Sequence, residues 1–263
     1  THAIPISTGS GQGVFTKEIQ RALLDERVDL AVHSLKDLPT ESIAELQLAA
    51  VPLRASNLDS FVSNAFACVA DLPRGARVGT GSARRAAQLL HLRPDLNVQN
   101  IRGNVDTRLA KLDDGDFDAI ILAEAGLRRL EFAERIREVI SPTSMTPAVG
   151  QGALGLETRA NDSTTADALS ALDHHETHAA VDAERSMLRE LRGGCLAPVG
   201  GWARVEGNRL VLMGVVCSMN GSQRIRIEHE SSLADAVALG AQVAQELNAL
   251  GANRLLDDAR EVQ

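Results

Sequence analysis

One cysteine of this 263-residue chain occupies an unusual position. Cys195 lies in the stretch LRGGCLAPVGG, behind two glycines and ahead of a proline. The glycines give the backbone freedom, so the thiol has room for a bulky substituent. Cys195 is therefore either a free thiol on a surface turn or a nucleophile or covalent attachment point. Cys68 and Cys217 lie in apolar stretches and are predicted to be small buried side chains.

Paired arginines follow a glycine-containing turn in the stretch GTGSARR. Ser82 is predicted to cap a helix whose first turn holds Arg84 and Arg85, where the helix dipole disfavours cations. An anion bound at the helix N-terminus would offset this cost, because free N–H groups and both guanidinium groups would converge on it. The alternative is a pair of solvated surface arginines.

The stretch IRGNVDTR has the same character. Arg102 ends a predicted strand, Asn104 is placed to cap the next helix, and Arg108 lies one turn into that helix. Two cationic turns close together indicate a polyanionic ligand with carboxylates or phosphates. A nucleoside triphosphate is disfavoured because the chain has no G-x-x-x-x-G-K-[ST] run.

Lys36 and Asp37 are neighbours in the turn VHSLKDLP. Such a pair is often only a solvated surface feature. A carboxylate that faces an arginine-lined cleft could instead stabilise a cation that develops during a reaction. Asp37 is therefore the best acid or base candidate. His174 and His178 share a helix face but do not form an H-E-x-x-H motif, so we expect surface or interdomain histidines and no metal site.

Strands that alternate with helices must position these residues. Apolar spacing predicts a helix from Phe15 and a short buried strand over 28–32, just before the Lys36 turn. It also predicts three further strands that each lead into a helix, namely Arg77–Val78, Val98–Ile101 and Ala119–Leu122. This alternation indicates parallel βαβ units in an α/β fold, where ligands bind beyond the carboxyl ends of the strands.

The second half of the chain predicts a different domain. The stretch SPTSMTPAVGQGALG is typical of a crossover between domains, and the return strand ALGLET follows it. A long helix over 176–191 precedes the Cys195 loop. Alternating strands and a closing helix over 233–250 then indicate a small separate α+β domain.

Composition excludes several classes of protein. The formal net charge of −8 and an aromatic content of 2% disfavour nucleic-acid binding. No apolar run is long enough to cross a bilayer and no signal segment opens the chain, so we expect a cytoplasmic protein.

Six motifs occur in order along the chain: VHSLKDLPT, GTGSARRAAQL, IRGNVDTRLAKL, DAIILAEAGLRRL, PAVGQGALGLE and LRGGCLAPVGG. In these motifs, and over nearly its whole length, the sequence resembles the porphobilinogen deaminase (hydroxymethylbilane synthase) family. The resemblance implies a transferase of tetrapyrrole and heme biosynthesis. Its small-molecule substrate would be porphobilinogen, and we expect a monomer that binds neither nucleic acid nor membrane.

The resemblance also implies the roles of individual residues. Cys195 would carry a dipyrromethane cofactor through a thioether. In that family four porphobilinogen molecules are joined head to tail on the cofactor, each with loss of ammonia, and hydrolysis releases linear hydroxymethylbilane. Asp37 matches the catalytic aspartate that stabilises the azafulvenium cation formed when ammonia leaves. Cofactor or substrate contacts match Lys36, Thr80, Ser82, Arg84, Arg85, Arg102 and Arg108, and two further substrate contacts match Arg129 and Gln151.

The fold implied by the resemblance has three α/β domains. The first two would be periplasmic-binding-protein-like (type II) around a cleft, and the third would be a small α+β domain that carries the cofactor. Domain 1 would hold residues 1–53 and 153–172, domain 2 residues 57–147 and domain 3 residues 173–263. Family members begin with a strand that ends in arginine and with a Ser-x-Leu-Ala helix start. Nothing here matches them, so we expect the N-terminal part of domain 1 to be missing.

Two alternatives to an active enzyme stay open. The chain could be an inactive truncated deaminase, or a non-catalytic anion-binding module of the periplasmic-binding-protein type. The second alternative explains the arginines and the two-lobed pattern. It does not explain why a thiol on a Gly-Gly loop accompanies Asp37.

Overall fold

The computed structural model describes residues 14–194 and 197–261, and in these ranges three β-sheets carry helices on their faces. The helices are α1 (Val14–Leu24), α2 (Ala83–Leu92), α3 (Val105–Asp113), α4 (Glu124–Arg129), α5 (Ser163–Leu169), α6 (His175–Glu190), α7 (Ala236–Ala249) and α8 (Ala252–Glu261). The strands are β1 (Ala31–Ser34), β2 (Leu46–Ala50), β3 (Asp59–Val62), β4 (Arg77–Gly79), β5 (Asn97–Gln99), β6 (Ala119–Ala123), β7 (Ile136–Ile140), β8 (Leu154–Arg159), β9 (Val199–Glu206), β10 (Arg209–Cys217) and β11 (Arg224–Ser231).

The first sheet has the strand order β1-β8-β2, and both pairs are antiparallel. The prediction of a buried strand over 28–32 was wrong in position and in burial. The strand begins at Ala31, and the side chains of Val28, Leu30 and Val32 are exposed. Alternate residues of a strand point to opposite faces, so only Ala31 and His33 are buried here. The expectation of parallel pairing also fails in this sheet, because the central strand β8 returns from far along the chain in the opposite direction.

The second sheet has the order β5-β4-β6-β3-β7. Strand β4 pairs in parallel with β5 and β6, as the alternation of strands and helices predicts, while β3 runs antiparallel to β6 and β7. Ser82 and Asn104 cap α2 and α3 as predicted, and each side chain accepts a hydrogen bond from a backbone N–H of its helix. The carboxyl ends of β4 and β5 therefore lead into the two arginine-bearing turns.

The third sheet is an antiparallel meander of β9, β10 and β11. Helices α6 and α7 pack together, and α6, α7 and α8 share one hydrophobic core with the sheet. The closing helix predicted over 233–250 is α7, and a further helix that was not predicted, α8, follows it. Gly251 has a φ of 98°, a left-handed conformation that ends α7, and α8 follows at once.

Two crossover segments connect the first sheet to the second, one after β2 and one before β8. They lie together, because the Ala55 N–H donates to the Gly152 carbonyl over 3.0 Å. Glu184 of α6 binds both segments: it accepts a bidentate pair from Arg54 at 2.8 and 2.9 Å and a bond from the Gly150 N–H at 2.7 Å. The predicted fold class, an α/β protein with three sheet-based units, is confirmed, and all three units meet at this junction. None of the helices in the described ranges has the length and apolar character that crossing a membrane requires.

Candidate functional site

A cleft of about 720 Å³ lies where the three units meet. Its walls come from the turn after β1, the start of α2, α3, the second crossover segment, and the last turns of α6 with the residues that follow. A volume of this size is typical of a small-molecule site. The charged and polar side chains that line it are Lys36, Asp37, Thr40, Glu41, Ser82, Arg84, Arg85, Arg108, Gln151, Arg185, Arg189 and Arg192.

The turn that carries Lys36 and Asp37 is anchored by the residue before them. Leu35 is 1% exposed, and its N–H donates to the Ala153 carbonyl over 3.0 Å. Gly150 packs so closely behind this turn that a Cβ atom there would come within 2.9 Å of the Leu35 backbone, and its φ is 70°. Because the backbone is fixed in this way, the next two side chains project from a rigid base into the cleft.

Lys36 is exposed to the cleft, yet its pKa lies below the ordinary lysine value of 10.5. The main cause is the loss of hydration between the cleft walls, and the positive charge of Arg85 lowers the pKa further, while Asp37 opposes the shift. A cation in this position gains stabilisation when an anion enters the cleft. The residue is therefore suited to binding a carboxylate or phosphate.

Arg84 and Arg85 are buried, so the interpretation as solvated surface arginines is excluded. The Asp59 carboxylate of β3 accepts hydrogen bonds from Arg84 Nη1 at 2.7 Å and from Arg85 Nε at 2.9 Å. Ser82 accepts from the Arg85 N–H at 3.4 Å and so caps the helix that carries both arginines. Asp59 thus supplies, from within the protein, the anion that the sequence indicated for this helix N-terminus.

Gln151 completes this buried network. Its Nε2 donates to Asp59 Oδ1 over 2.9 Å and to the Asn57 carbonyl over 2.7 Å, while its Oε1 accepts from Arg85 Nη2 over 3.3 Å. Burial alone would raise the pKa of the Asp59 carboxyl, but Arg84 and Arg85 together lower it to about 2. Asp59 therefore carries a full negative charge at neutral pH and holds both arginines at the cleft wall.

The donor set suits a ligand with several carboxylates. Arg85 and Lys36 lie at the same wall, and Arg108 of α3 also lines the cleft. Arg84 Nε is buried and has no hydrogen-bond partner among the described residues. Guanidinium and ammonium groups bind carboxylates through strong charge-assisted hydrogen bonds. A dipyrromethane with acidic side chains fits both the charge and the volume of this site.

The structure brings together only part of the predicted site. Lys36, Asp37, Ser82, Arg84, Arg85, Arg108 and Gln151 all line the cleft. Thr80 is buried beside it, and its Oγ1 accepts from the Ser82 N–H over 3.3 Å, so it shapes the turn. Arg102 and Arg129 are exposed and are not among the side chains that line the cleft.

Two features of the site were not predicted from the sequence. Asp59 is a charged residue inside the apolar run LDSFV, a pattern that signals a buried ion pair but does not identify its partner. Arg185, Arg189 and Arg192 line the cleft from the last turns of α6 and the residue beyond them. Spacings of four and three residues along a helix signal a shared face, but not that the face lines a cleft.

Two of the three cysteines lie in the described residues, and the prediction of a buried side chain is confirmed for one of them. Cys217 is buried, and burial raises the pKa of its thiol to about 11. Cys68 is half-buried, contrary to the prediction, because it precedes a short 3₁₀ turn at the surface of the second unit. Cys195 lies outside the described residues, but Gly194 and Ala197 on either side of that gap line the cleft.

His174, just before α6, and His178, in its first turns, serve local structure. His174 caps the helix, because its Nδ1 accepts a hydrogen bond from the Thr177 N–H over 3.2 Å. His178 Nδ1 bonds to Asp173 over 2.8 Å. Asp173 also accepts from the Val51 N–H over 2.8 Å, so this pair joins α6 to the first crossover segment.

Comparisons with known proteins agree along most of the chain. The family model described as porphobilinogen deaminase, dipyromethane cofactor binding domain, matches residues 1–167, and the model described as porphobilinogen deaminase, C-terminal domain, matches residues 178–249. A curated porphobilinogen deaminase from Syntrophobacter fumaroxidans is 45% identical over 255 residues, which cover 97% of this chain and 82% of the relative.

Parts of the chain also resemble solved structures. A TRAP periplasmic solute binding protein from Desulfovibrio salexigens is 13% identical, with a TM-score of 0.39, and the match covers 60% of this chain and 57% of that one. The BvgS periplasmic VFT2 domain of Bordetella pertussis is 18% identical, with a TM-score of 0.35, and the match covers 59% of this chain and 64% of that one.

Proposed function

The chain belongs to the porphobilinogen deaminase family, and on this premise we propose how its residues carry out the reaction. It is a transferase of tetrapyrrole and heme biosynthesis with a dipyrromethane cofactor. The activity is the stepwise condensation of four porphobilinogen molecules with loss of ammonia, followed by hydrolytic release of hydroxymethylbilane. The observation that carries the assignment of roles is that the Lys36–Asp37 turn, the arginines of α2 and the residues that flank Cys195 line one cleft.

Cys195 is the attachment point of the cofactor in this proposal. Gly194, Ala197 and Asp37 line the same cleft, and we therefore expect a group attached to Cys195 to bind there. When bound, the dipyrromethane supplies the pyrrole carbon to which the first substrate molecule is joined. Lys36, Arg84, Arg85 and Arg108 bind its carboxylates and those of the substrate, since they are the cations of that cleft wall. Ser82, Thr80 and Gln151 hold this wall in shape.

Asp37 stabilises positive charge on the substrate. Porphobilinogen loses ammonia when the bond between its aminomethyl carbon and nitrogen breaks, and a cation conjugated with the pyrrole nitrogen remains. The dipyrromethane, held at Cys195 and by the cations of the cleft wall, would supply the pyrrole carbon that captures this cation with loss of its own proton. A fixed carboxylate beside the pyrrole N–H lowers the energy of the cation, and such electrostatic stabilisation is often the largest catalytic contribution. The rigid backbone at Leu35 holds Asp37 ready for this role.

The remaining assignments extend the proposal. We place domain 1 at residues 1–53 and 153–172, domain 2 at 57–147 and domain 3 at 173–263, because the three sheets divide the chain close to these positions. Arg102 and Arg129 are exposed and outside the cleft lining, and we keep Arg102 as a cofactor contact and Arg129 as a substrate contact. We assign the enzyme to the cytoplasm as a monomer. We also infer that it does not bind nucleic acid, which the net charge of −8 supports.

The decisive experiment is the intact mass of the purified protein, followed by peptide mapping. A mass excess equal to two linked pyrrole units on the Cys195 peptide is expected. Cys195→Ser should lack it, whereas Cys68→Ser should keep it, because Cys68 lies outside the cleft lining. An unmodified Cys195 in a protein that still binds anions would favour a non-catalytic binding module. An unmodified Cys195 with no turnover after addition of preformed cofactor would favour an inactive deaminase.

A further inference from the structure

We propose that Arg185 is a positioning residue that fixes the Asp37 turn to helix α6. The role of Asp37 itself rests on the function proposed above. The fixation of the turn does not, because it rests on geometry alone.

The contact lies immediately after the catalytic carboxylate in the chain. Arg185 Nη1 donates to the Leu38 carbonyl over 3.0 Å, and Nη2 donates to the Pro39 carbonyl over 2.6 Å. On the other side of Asp37, the Leu35 N–H donates to the Ala153 carbonyl over 3.0 Å. The turn is therefore fixed on both sides, on its entry side by the first sheet and on its exit side by α6.

Arginine is the side chain that this geometry requires. Its planar guanidinium presents two N–H groups side by side, so one residue satisfies two successive carbonyls, which the single ammonium of lysine does less well. Burial lowers the pKa of Arg185, and the negative charges of Asp182 and Glu157 oppose that shift. The group is thus held among protein atoms, where hydrogen bonds from a charged donor are strong.

This contact also relates the two chemical parts of the site. Helix α6 runs from Arg185 to its end at Glu190, and the next residues, up to Gly194, lead to Cys195. Because the guanidinium ties the Asp37 turn to the same helix, it sets the distance between the carboxylate and the base of the attachment loop. A displacement of about 1 Å at a reacting centre costs about a hundredfold in rate.

The test compares Arg185→Ala and Arg185→Lys with the unaltered protein. We expect kcat to fall about tenfold to a hundredfold in Arg185→Ala, with KM changed by less than about threefold, and a smaller fall in Arg185→Lys. Hydrogen exchange of the backbone amides over 35–41 should rise in Arg185→Ala. The mass excess on Cys195 should be unchanged, because the substitution leaves α6 and its loop in place.

A matched control separates positioning from general loss of stability. Arg93 also binds backbone carbonyls, those of Val69, Ala70 and Leu72, but it lies outside the cleft lining. Arg93→Ala should lower stability and leave kcat within about twofold.

A double-mutant cycle identifies the group through which Arg185 acts. If the guanidinium works by holding Asp37, then Arg185→Ala should have little further effect on kcat in an Asp37→Asn protein. Additive losses, or a rise in KM with kcat unchanged, would overturn the proposal and make Arg185 a binding group for substrate carboxylates. Unchanged hydrogen exchange over 35–41 would overturn it independently of turnover. If the unaltered protein shows no turnover but the exchange still rises in Arg185→Ala, the function proposed above fails and the fixation of the turn stands.

Discussion

Arg84 and Asp59 form an ion pair in the interior of the protein, with 2.7 Å between Nη1 and Oδ2. Neither side chain is substantially exposed: Asp59 is 0% exposed and Arg84 is 4% exposed. Two charges removed from water must satisfy each other, because an isolated buried charge costs several kcal/mol. The pair therefore fixes the start of α2 against β3 and leaves the arginine-bearing wall of the cleft preorganised before any ligand enters.

Replacement of Asp59 by asparagine should destabilise the protein. Asp59→Asn leaves Arg84 and Arg85 buried without their anion, and we expect the free energy of unfolding to fall by about 3–5 kcal/mol at neutral pH. Chemical denaturation with circular dichroism measures this change. The matched control is Asp113→Asn, because Asp113 pairs with Arg135 at the surface and should cost less than about 1 kcal/mol. Equal effects of the two substitutions would contradict the importance of the buried pair.

The same pair predicts the acid sensitivity of the fold. The pKa of Asp59 is about 2 in the folded protein and has an ordinary value of 3.8, so the unfolded chain takes up this proton first. Its contribution to stability is therefore complete above about pH 4 and is lost as the pH falls towards 2. The difference in unfolding free energy between the unaltered protein and Asp59→Asn should shrink over that interval. A difference that stays constant with pH would show that Asp59 keeps its ordinary pKa.

Lys36 should lower the stability of the folded protein but strengthen the binding of an anion. Its pKa is lowered in the folded protein, so its charged form is less favourable there than in the unfolded chain. Lys36→Met should raise the free energy of unfolding at neutral pH. The unaltered protein should gain stability as the pH rises from the lowered pKa to above 10.5, and Lys36→Met should lack this gain. Affinity for a carboxylate-bearing pyrrole ligand should fall by about 1.5–3 kcal/mol, measured by calorimetry. An unchanged affinity would exclude Lys36 from the anion site.

Asp37→Asn tests the catalytic role. The substitution keeps the size of the side chain and removes its charge, so the cation on the substrate loses its stabilising partner. Turnover should fall by at least about a hundredfold. The variant assembled from preformed tetrapyrrole should still carry the cofactor, so its mass should differ from that of the unaltered enzyme only by the substitution. The exposed Asp116, outside the cleft lining, provides the control Asp116→Asn, which should retain full turnover. Normal turnover in Asp37→Asn would assign the cation to another group.

The end of α6 offers a test of backbone strain. Arg192 has a φ of 50°, a left-handed conformation that costs a residue with a side chain about 1 kcal/mol. Its N–H bonds to the Arg189 carbonyl and the Gly193 N–H bonds to the Leu188 carbonyl, the pattern of a helix end that normally holds glycine. Arg192→Gly should therefore raise stability by up to about 1 kcal/mol, as measured by thermal unfolding. Arg189→Gly, inside the helix, should lower it by about the same amount. Destabilisation by both would show that the Arg192 side chain contributes more than its backbone costs.

Features with local causes could be predicted from the sequence. Ser82 and Asn104 were predicted as helix caps and are caps, because a cap depends on residues within one turn. The position of Lys36 and Asp37 beyond a strand end is equally local. The exposure of Val32 could not be predicted, because it depends on which face of the first sheet meets the core.

Contacts between distant parts of the chain were beyond prediction. Asp59 and Arg84 are 25 residues apart, and Arg185 is 147 residues from Leu38. The sequence shows the charges but not the fold that brings them together. Arg102 is the reverse case, since its place in a signature motif predicts a contact but its side chain is exposed and outside the cleft lining.

The strand pairing of the first sheet determines when that sheet can form during synthesis on the ribosome. Within the described ranges, β1 and β2 each pair with β8 and not with each other, and β8 ends at Arg159. All five strands of the second sheet lie between Asp59 and Ile140, so they leave the ribosome before β8 is complete. Domains that are continuous in sequence fold during synthesis as soon as they emerge. We therefore expect the inserted unit to complete its sheet first, while the two earlier strands keep unpaired edges until their shared partner is made.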